Sequence, residues 1–489
     1  MSRLVNVSNR VALPRAADAA GGLAIGVLAA MRASGGLWFG WSGRTGAALS
    51  PSPGPELVRR GDLCFATIDI PERLHELYYN GFANGTLWPL LHCFLDNFRY
   101  QDEQYEAYLA VNALFTRELL PLLRADDLIW VHDYQLIPLA AQLRDQGVRS
   151  PIGLFLHVPF PHFEIFRALP VHRELLRALL AYDLLGFQTE VDRQAFLGVA
   201  RAVCGAACVN PSHSVRLVDR IVRTGVFPIG VDAEAVAQSA LKSTASGRVR
   251  SMIQGLRGRE LIIGVDRLDY SKGLLERFEA YQHFLEDSPQ YRGRVTYLQI
   301  APLGRQKVAA YARIRDSLEG SAGHINGRFA EVDWTPIRYL NRNFPHATLM
   351  AFLRLAQVCL VTPLRDGMNL VAKEFIGAQD PADPGVLVLS DRAGAARELT
   401  DALLVNPFDT RGMARALRQA LDMPLSERCA RHEKLLAALR ENDIYAWCSR
   451  FVAGLAAAGG LATRAGAADP LHSPETRREA AGGSVGTRA

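Results

Sequence analysis

Thr362-Pro-Leu-Arg-Asp-Gly-Met-Asn-Leu-Val-Ala-Lys-Glu374 is the stretch from which the fold is read. It follows the short apolar run 358–361, which reads as a buried strand. Pro363 ends that strand, Asp366-Gly367 carry turn and helix-capping chemistry, and from Met368 the apolar spacing turns helical. The chain therefore leaves a strand end, turns, and presents a fresh helix N-terminus. In an open α/β sheet that is where ligands bind, anions especially. Asp366 and Glu374 fall at opposite ends of about two helical turns, roughly 12 Å apart at about 1.5 Å per residue. One carboxylate is placed for the near end of an elongated ligand, the other for its far end. An ordinary capped helix with an exposed glutamate shows the same pattern, so the stretch needs partners elsewhere.

Working outward, the same alternation recurs. Runs at 261–265, 295–300, 386–389 and 403–405 read as strands, with helices over 274–285 and 306–318. Residues 233–258 read as helical and polar, broken by a loop at 243–247. An earlier series has strands at 4–7, 128–131, 152–158, 184–187 and 226–229. Its helices run to about Arg144, across 173–181 and over 190–203. Near-continuous apolar strands alternating with helices predict mostly parallel sheets covered on both faces. Two such series joined near 232 predict an α/β fold of two doubly wound lobes facing a central cleft.

The 489 residues are 49% hydrophobic and 21% charged, with a net charge of +5. There is no block of like charge, which argues against a nucleic-acid or membrane partner and fits a small anionic substrate. The seven cysteines are odd in number and scattered; with no zinc-type spacing, they read as thiols of a reducing compartment. No signal-peptide core follows Ser2, and the apolar run 23–31 is too short to span a bilayer, so a cytoplasmic protein is expected. A homo-oligomer is compatible with the sequence. From 459 the chain becomes Ala/Gly-rich, and 459–489 reads as a disordered tail.

Two cations give the opening stretch its partner. Arg267 and Lys272 lie in Asp266-Arg-Leu-Asp-Tyr-Ser-Lys-Gly273, between a strand and a helix that Gly273 starts. Two cations at a helix N-terminus suit a diphosphate, although this is not a Walker A loop. Arg10 follows the first strand end, and Gly21-Gly22 open the helical run 23–31 without dinucleotide spacing. Aromatic residues crowd 36–100, among them Tyr79 and Trp88. Such rings suit sugar faces, whereas Phe39 and Phe82 read as core. His157, before Pro-Phe-Pro, is by itself a core histidine, and Asp133 is a cap or a hydroxyl acceptor. No nucleophile triad or HExxH metal motif stands out. A diphosphate site, an aromatic sugar-like site and a facing Asp…Glu helix point to a nucleotide-sugar glycosyltransferase.

Seven stretches then carry a resemblance, in order, from about residue 3 to 456: Val7-Ser-Asn-Arg10, Gly35-Gly-Leu-Trp-Phe-Gly-Trp-Ser-Gly43, Trp130-Val-His-Asp-Tyr134, Phe155-Leu-His-Val-Pro-Phe-Pro161, Leu184-Leu-Gly-Phe-Gln-Thr189, Arg267-Leu-Asp-Tyr-Ser-Lys-Gly273 and Pro363 to Glu374. They resemble the α,α-trehalose-phosphate synthases of glycosyltransferase family 20. The resemblance implies a GT-B fold with an acceptor lobe over 1–232 and a donor lobe over 233–440. A helix over 441–458 would cross back to the first lobe. It also implies retaining transfer of glucose from UDP-glucose to glucose 6-phosphate, without metal or other cofactor. Some relatives use GDP- or ADP-glucose.

By the same likeness Arg10, Tyr79, Trp88, Asp133 and Arg305 would hold glucose 6-phosphate. The nucleotide sugar would lie against Gly21, Gly22, Arg267, Lys272, Phe344 and the run Asp366, Gly367, Met368, Asn369, Leu370, Val371, Ala372, Lys373 and Glu374. Glu374 would take the ribose and Asp366 the donor-sugar hydroxyls. His157, Arg267, Lys272 and Asp366 would form the catalytic set. No carboxylate is evidently placed as a nucleophile, which suits a front-face transfer built on positioning and charge stabilisation. Two departures from the family pattern, Asp266 and His162-Phe163, are expected to touch none of these residues. A related transferase with another acceptor, such as a glucosylglycerol-phosphate synthase or a pseudo-glycosyltransferase, and a non-catalytic sugar-phosphate sensor are the alternatives.

Overall fold

The computed structural model describes residues 2–11, 28, 31, 36–46, 54–209, 213–218, 220–304 and 309–459. Gly21, Gly22, Arg305, most of the run 23–31 and the tail beyond Gly459 lie outside these residues.

The first sheet has nine strands: β1 (Leu4–Arg10), β2 (Gly36–Gly46), β3 (Glu56–Arg60), β4 (Leu63–Pro71), β5 (Leu128–His132), β6 (Ile152–Phe155), β7 (Leu184–Phe187), β8 (Ser214–Arg216) and β9 (Ile221–Val226). Their order is β3-β4-β2-β1-β5-β6-β7-β9-β8, with only the edge pairs β3/β4 and β8/β9 antiparallel. The second sheet is wholly parallel. It contains β10 (Glu260–Val265), β11 (Val295–Ile300), β12 (Ile337–Leu340), β13 (Val358–Val361), β14 (Val386–Ser390) and β15 (Leu403–Val405), in the order β12-β11-β10-β13-β14-β15. Every residue of β11, β13 and β14 is buried, because helices cover both faces; this is why they read as near-continuous apolar runs.

The order of each sheet reverses once, between β1 and β5 in the first and between β10 and β13 in the second. Such reversals open a crevice at the carboxyl ends of the strands. Arg10 and Asp133 end one pair of strands; the 266–273 and 362–369 loops end the other. The two crevices meet. Arg365 donates to the Phe160 carbonyl at 2.9 Å, and a Cβ on Gly367 would lie 2.4 Å from the His157 carbonyl oxygen.

Several element boundaries differ from the sequence expectations. The strand expected over 152–158 stops at Phe155, which puts His157 in the loop beyond it. The strand expected at 226–229 is β9, ending at Val226, because its register is set by pairing Leu184–Phe187 with Arg223–Val226. The helix expected over 306–318 runs Ala309–Phe329. Gly320, Gly323 and Gly327 weaken its local propensity, but burial of Leu318, Ala322, Ile325 and Phe329 overrides that cost. Residues 36–100, read only as aromatics and turns, supply β2 to β4 and a π-helix, Glu76–Leu87. Phe39 and Phe82 are core, as expected.

The last helix, Ile444–Gly459, lies against β5, β6, β7 and β9. Phe451 stacks on Trp130 at 4.5 Å, and Trp447 meets Phe155 edge-on at 5.2 Å. Gly153 and Gly186 make the room: a Cβ there would come within 2.9 and 2.7 Å of the Phe451 ring. Each buried aromatic contributes about 1.5–3 kcal/mol to this attachment. Among the described residues no helix is long and apolar enough to cross a membrane.

Candidate active site

The second sheet's crevice is built on a buried arginine. Arg277, on helix Leu274–Asp287, has no exposed surface. Its guanidinium donates to Asp266 at 2.7 Å, Gln299 and Thr362 Oγ1 at 3.0 Å, and the Lys272 carbonyl at 3.2 Å. A buried charge is tolerated only when it is paired and bonded in this way. The effect is to clamp the loop after β10 to the loop after β13. Gly273, at φ 64°, lets them close: a Cβ would sit 2.3 Å from the Thr362 carbonyl oxygen. Asp266 bonds Arg277 and not Lys272 itself, but through that guanidinium it helps hold the Lys272 backbone.

The clamp sets Lys272 Nζ 2.5 Å from Asp366 Oδ2. Burial alone would raise the Asp366 carboxyl. The Lys272 charge and hydrogen bond, with His92 and Asn369, overcome this and hold it below its ordinary value. Asn369, not Asp366-Gly367, caps the following helix, which begins at Leu370 rather than Met368. Its φ of 87° is a conformation that asparagine tolerates better than most residues. Its Oδ1 accepts from the Ala372 N–H at 3.2 Å while its Nδ2 donates to Asp366 at 3.1 Å. One side chain thereby ends the turn and aims the carboxylate.

Beyond this point the helix divides its residues. Leu370 and Val371 are partly exposed at its N-terminus, whereas Met368 and Ala372 are buried. Lys373 is 1% exposed and turned away, its Nζ 2.5 Å from Glu398 and 2.8 Å from the Ile229 carbonyl. Its side chain is committed to packing, so only its backbone is available to a ligand. Burial lowers its pKa despite Glu398. Glu374 Oε1 lies 3.0 Å from His346 Nε2. Phe344 is partly exposed, with Arg342 and Arg248 over its ring at 4.7 and 5.9 Å.

On the first sheet's side, exposed Arg10 lies over Trp41 at 5.8 Å. Trp41 packs on His75 at 4.5 Å, and His75 stacks on Tyr79 at 5.2 Å. The π-helix puts neighbouring tyrosines to different use: Tyr78 is buried and donates to Asn9 at 2.7 Å, while Tyr79 stays partly exposed. Trp88 is 5% exposed and sits against His92 at 4.1 Å. Exposed Arg267 reaches from the second lobe to within 5.5 Å of the Trp88 ring. Asp133, at φ 74°, accepts from the His157 N–H at 3.2 Å. The His157 ring lies 3.3 Å from His132, whose other nitrogen meets Asn6 at 3.2 Å. Burial pushes His157 down to about 3 and His132 well below its ordinary value, so both rings are neutral.

The structure thus gathers Lys272, Asp366, Gly367, Asn369 and Arg267 on one side and Trp88, Asp133 and His157 on the other. Arg277, His92, His346 and Asn369's capping role escaped the sequence reading. A charged residue on the helix face shared with Leu274, Phe278 and Tyr281 was the available signal for Arg277. His92 is buried, bonded to the Trp88 carbonyl at 2.8 Å and four residues after it, a helical spacing. A cavity of about 150 Å³ beside the centre is lined by Pro159, Thr189 and Asp192 from one side and Arg365, Asp366 and Gly394 from the other. Among the described residues no group of three or more His, Cys, Asp or Glu is gathered as a metal site.

Known proteins share this architecture. Residues 8–457 match the model of glycosyltransferase family 20. The trehalose-6-phosphate synthase of Klebsiella pneumoniae subsp. pneumoniae is 51% identical over 456 residues, 93% of this chain and 95% of that protein. The crystal structure of an α,α-trehalose-phosphate synthase (UDP-forming) from Burkholderia vietnamiensis is similar with a TM-score of 0.90 at 49% identity, covering 94% of this chain and 98% of its own. That of a Burkholderia xenovorans α,α-trehalose-phosphate synthase (UDP-forming), in complex with glucose-6-phosphate, gives 0.89 at 49% identity over 93% and 100%. The fold is GT-B, as the resemblance implied. With a match that runs from β1 to the last helix, the chain belongs to glycosyltransferase family 20.

Proposed function

We propose that this chain transfers glucose from UDP-glucose to glucose 6-phosphate with retention, giving α,α-trehalose 6-phosphate and UDP. The observation that carries the reading is the buried Lys272–Asp366 pair at the meeting point of two crevices, with Arg267 over Trp88 and the His157 carbonyl against Gly367. In this reading the first sheet, up to about residue 232, takes the acceptor. Arg10, Tyr79, Trp88, Asp133 and Arg305 hold glucose 6-phosphate. The second sheet takes the donor: Asp366 holds glucose hydroxyls, the helix N-terminus at Leu370 and Val371 faces the diphosphate, and Glu374 binds the ribose.

The chemistry follows from the charges. The bond from the donor C1 to the diphosphate oxygen breaks, and a bond from C1 to the acceptor hydroxyl oxygen forms on the same face. The acceptor proton passes to the departing diphosphate oxygen. Arg267 and Lys272 stabilise the charge that develops there, as oriented charges do in a water-poor site. The neutral His157 ring and its carbonyl border the reacting glucose and orient it. Reaction without a metal is expected because two cations already face the leaving group. A cytoplasmic location fits the seven thiols.

One assay tests the reading. UDP-, GDP- and ADP-glucose are supplied separately with glucose 6-phosphate or glycerol 3-phosphate, with and without EDTA, and the product is identified. Trehalose 6-phosphate from UDP-glucose, undiminished by EDTA, is expected. Turnover only on glycerol 3-phosphate would reassign the acceptor, ligand binding without UDP release would make the protein a sensor, and loss in EDTA alone would overturn the metal-free step.

A further inference from the structure

Glu374 is held before any ligand arrives. Its partner His346 is the first residue of helix His346–Leu355, and the 3.0 Å contact joins that helix to the one carrying Glu374. The two side chains are 30% and 12% exposed, so the pair is sheltered but still reachable. His346 also stands two residues after Phe344, on the segment proposed to border the nucleotide. A glutamate's last torsion is broad and soft, and fixing it before binding removes an ordering cost from the ligand. Each carboxylate oxygen has two acceptor directions, so Oε1 can accept from His346 and still receive a ligand hydroxyl.

We propose that His346 is a positioning residue for the donor: it holds the Glu374 carboxylate in the orientation that receives the ribose hydroxyls. This rests on the reading of Glu374 as the ribose carboxylate. His346 acts through Glu374, one turn into the helix Leu370–Ala378 and eight residues past Asp366, so its effect falls on donor affinity and leaves the chemical step alone.

His346→Ala, His346→Gln and Glu374→Ala are compared with the unaltered enzyme, using UDP-glucose and its 2′-deoxyribose analogue. His346→Ala is expected to raise the KM for UDP-glucose about tenfold, with kcat and the KM for glucose 6-phosphate within about twofold. His346→Gln, which keeps a hydrogen-bond donor at this position, recovers most of the loss. On the 2′-deoxy donor the His346→Ala effect shrinks to about twofold, because part of what Glu374 holds is gone. An equal rise in KM on both donors, or no rise on either, overturns the inference. Glu374→Ala separates the two levels: if it erases the preference for the ribose donor while His346→Ala does not, only the role of His346 falls. If Glu374→Ala leaves the preference intact, the reading of Glu374 falls with it.

Discussion

Lys272→Ala removes the group on which the proposed leaving-group chemistry most depends. In the structure Lys272 is 9% exposed and its ammonium lies 2.5 Å from Asp366, so it acts where water screens little. A cation within about 4 Å of a diphosphate oxygen gains about 4 kcal/mol at an effective dielectric of 20. At about 1.4 kcal/mol per factor of ten, losing it costs up to about a thousandfold in kcat. Arg267 remains and lowers the expected loss to about a hundred- to a thousandfold. A second effect has a definite sign. Lys272 is the main influence holding the Asp366 carboxyl below its ordinary value, against a burial that would raise it. Without Lys272 burial wins, the carboxyl takes up a proton at higher pH, and the acid limb of the kcat profile moves upward. Lys272→Arg keeps the charge but replaces a point donor with a planar fork, and recovers only part of the rate. The assay is UDP release at saturating UDP-glucose and glucose 6-phosphate across pH. A kcat within about threefold of the unaltered enzyme refutes the leaving-group role, and an unmoved acid limb refutes the coupling to Asp366.

Gly367→Ala tests the contact between lobes. The new Cβ would meet the His157 carbonyl oxygen at 2.4 Å, a backbone atom that cannot yield cheaply. The loop and His157 separate at a cost of about 1–3 kcal/mol, and kcat falls about tenfold or more while the enzyme stays folded; an unchanged kcat in a steady-state assay refutes the close approach. His92 tests burial through pH. Burial takes it from an ordinary value of 6.5 to about 4, so the unfolded chain binds the proton more readily than the folded one. Its contribution is complete above the unfolded value and is lost as pH falls through that window, by up to about 3 kcal/mol. His92→Gln should flatten the decline of the thermal midpoint over that range, and parallel declines refute the assignment.

Much of the site was legible because its residues sit where strands end. Arg10, Asp133, His157, the 266–273 loop and the 362–374 stretch each follow an apolar run that sequence periodicity detects. The boundaries that were missed have identifiable causes. Three glycines hid the second half of the helix Ala309–Phe329, and strand pairing rather than composition placed β9. Asn369 displaced Asp366-Gly367 as the cap because its amide serves the helix and the carboxylate at once. Lys373 falls in the run expected to hold the nucleotide sugar, yet its side chain is spent on Glu398 and the Ile229 carbonyl.

The Thr362–Glu374 stretch shows where the division falls. Its strand, its turn and its helix follow from local rules: β-branched and apolar residues, then proline and glycine, then helical spacing. What it faces does not. That the Asp366 carboxyl is held below its ordinary value despite burial depends chiefly on Lys272, 94 residues earlier, held in place by the buried Arg277. That Glu374 has a fixed orientation depends on His346, and that the loop meets the other lobe depends on Gly367 having no side chain. Periodicity and turn chemistry act over a few residues and can be read along the chain. Charge pairing, burial and close approach act through space, between segments that only the folded sheets bring together.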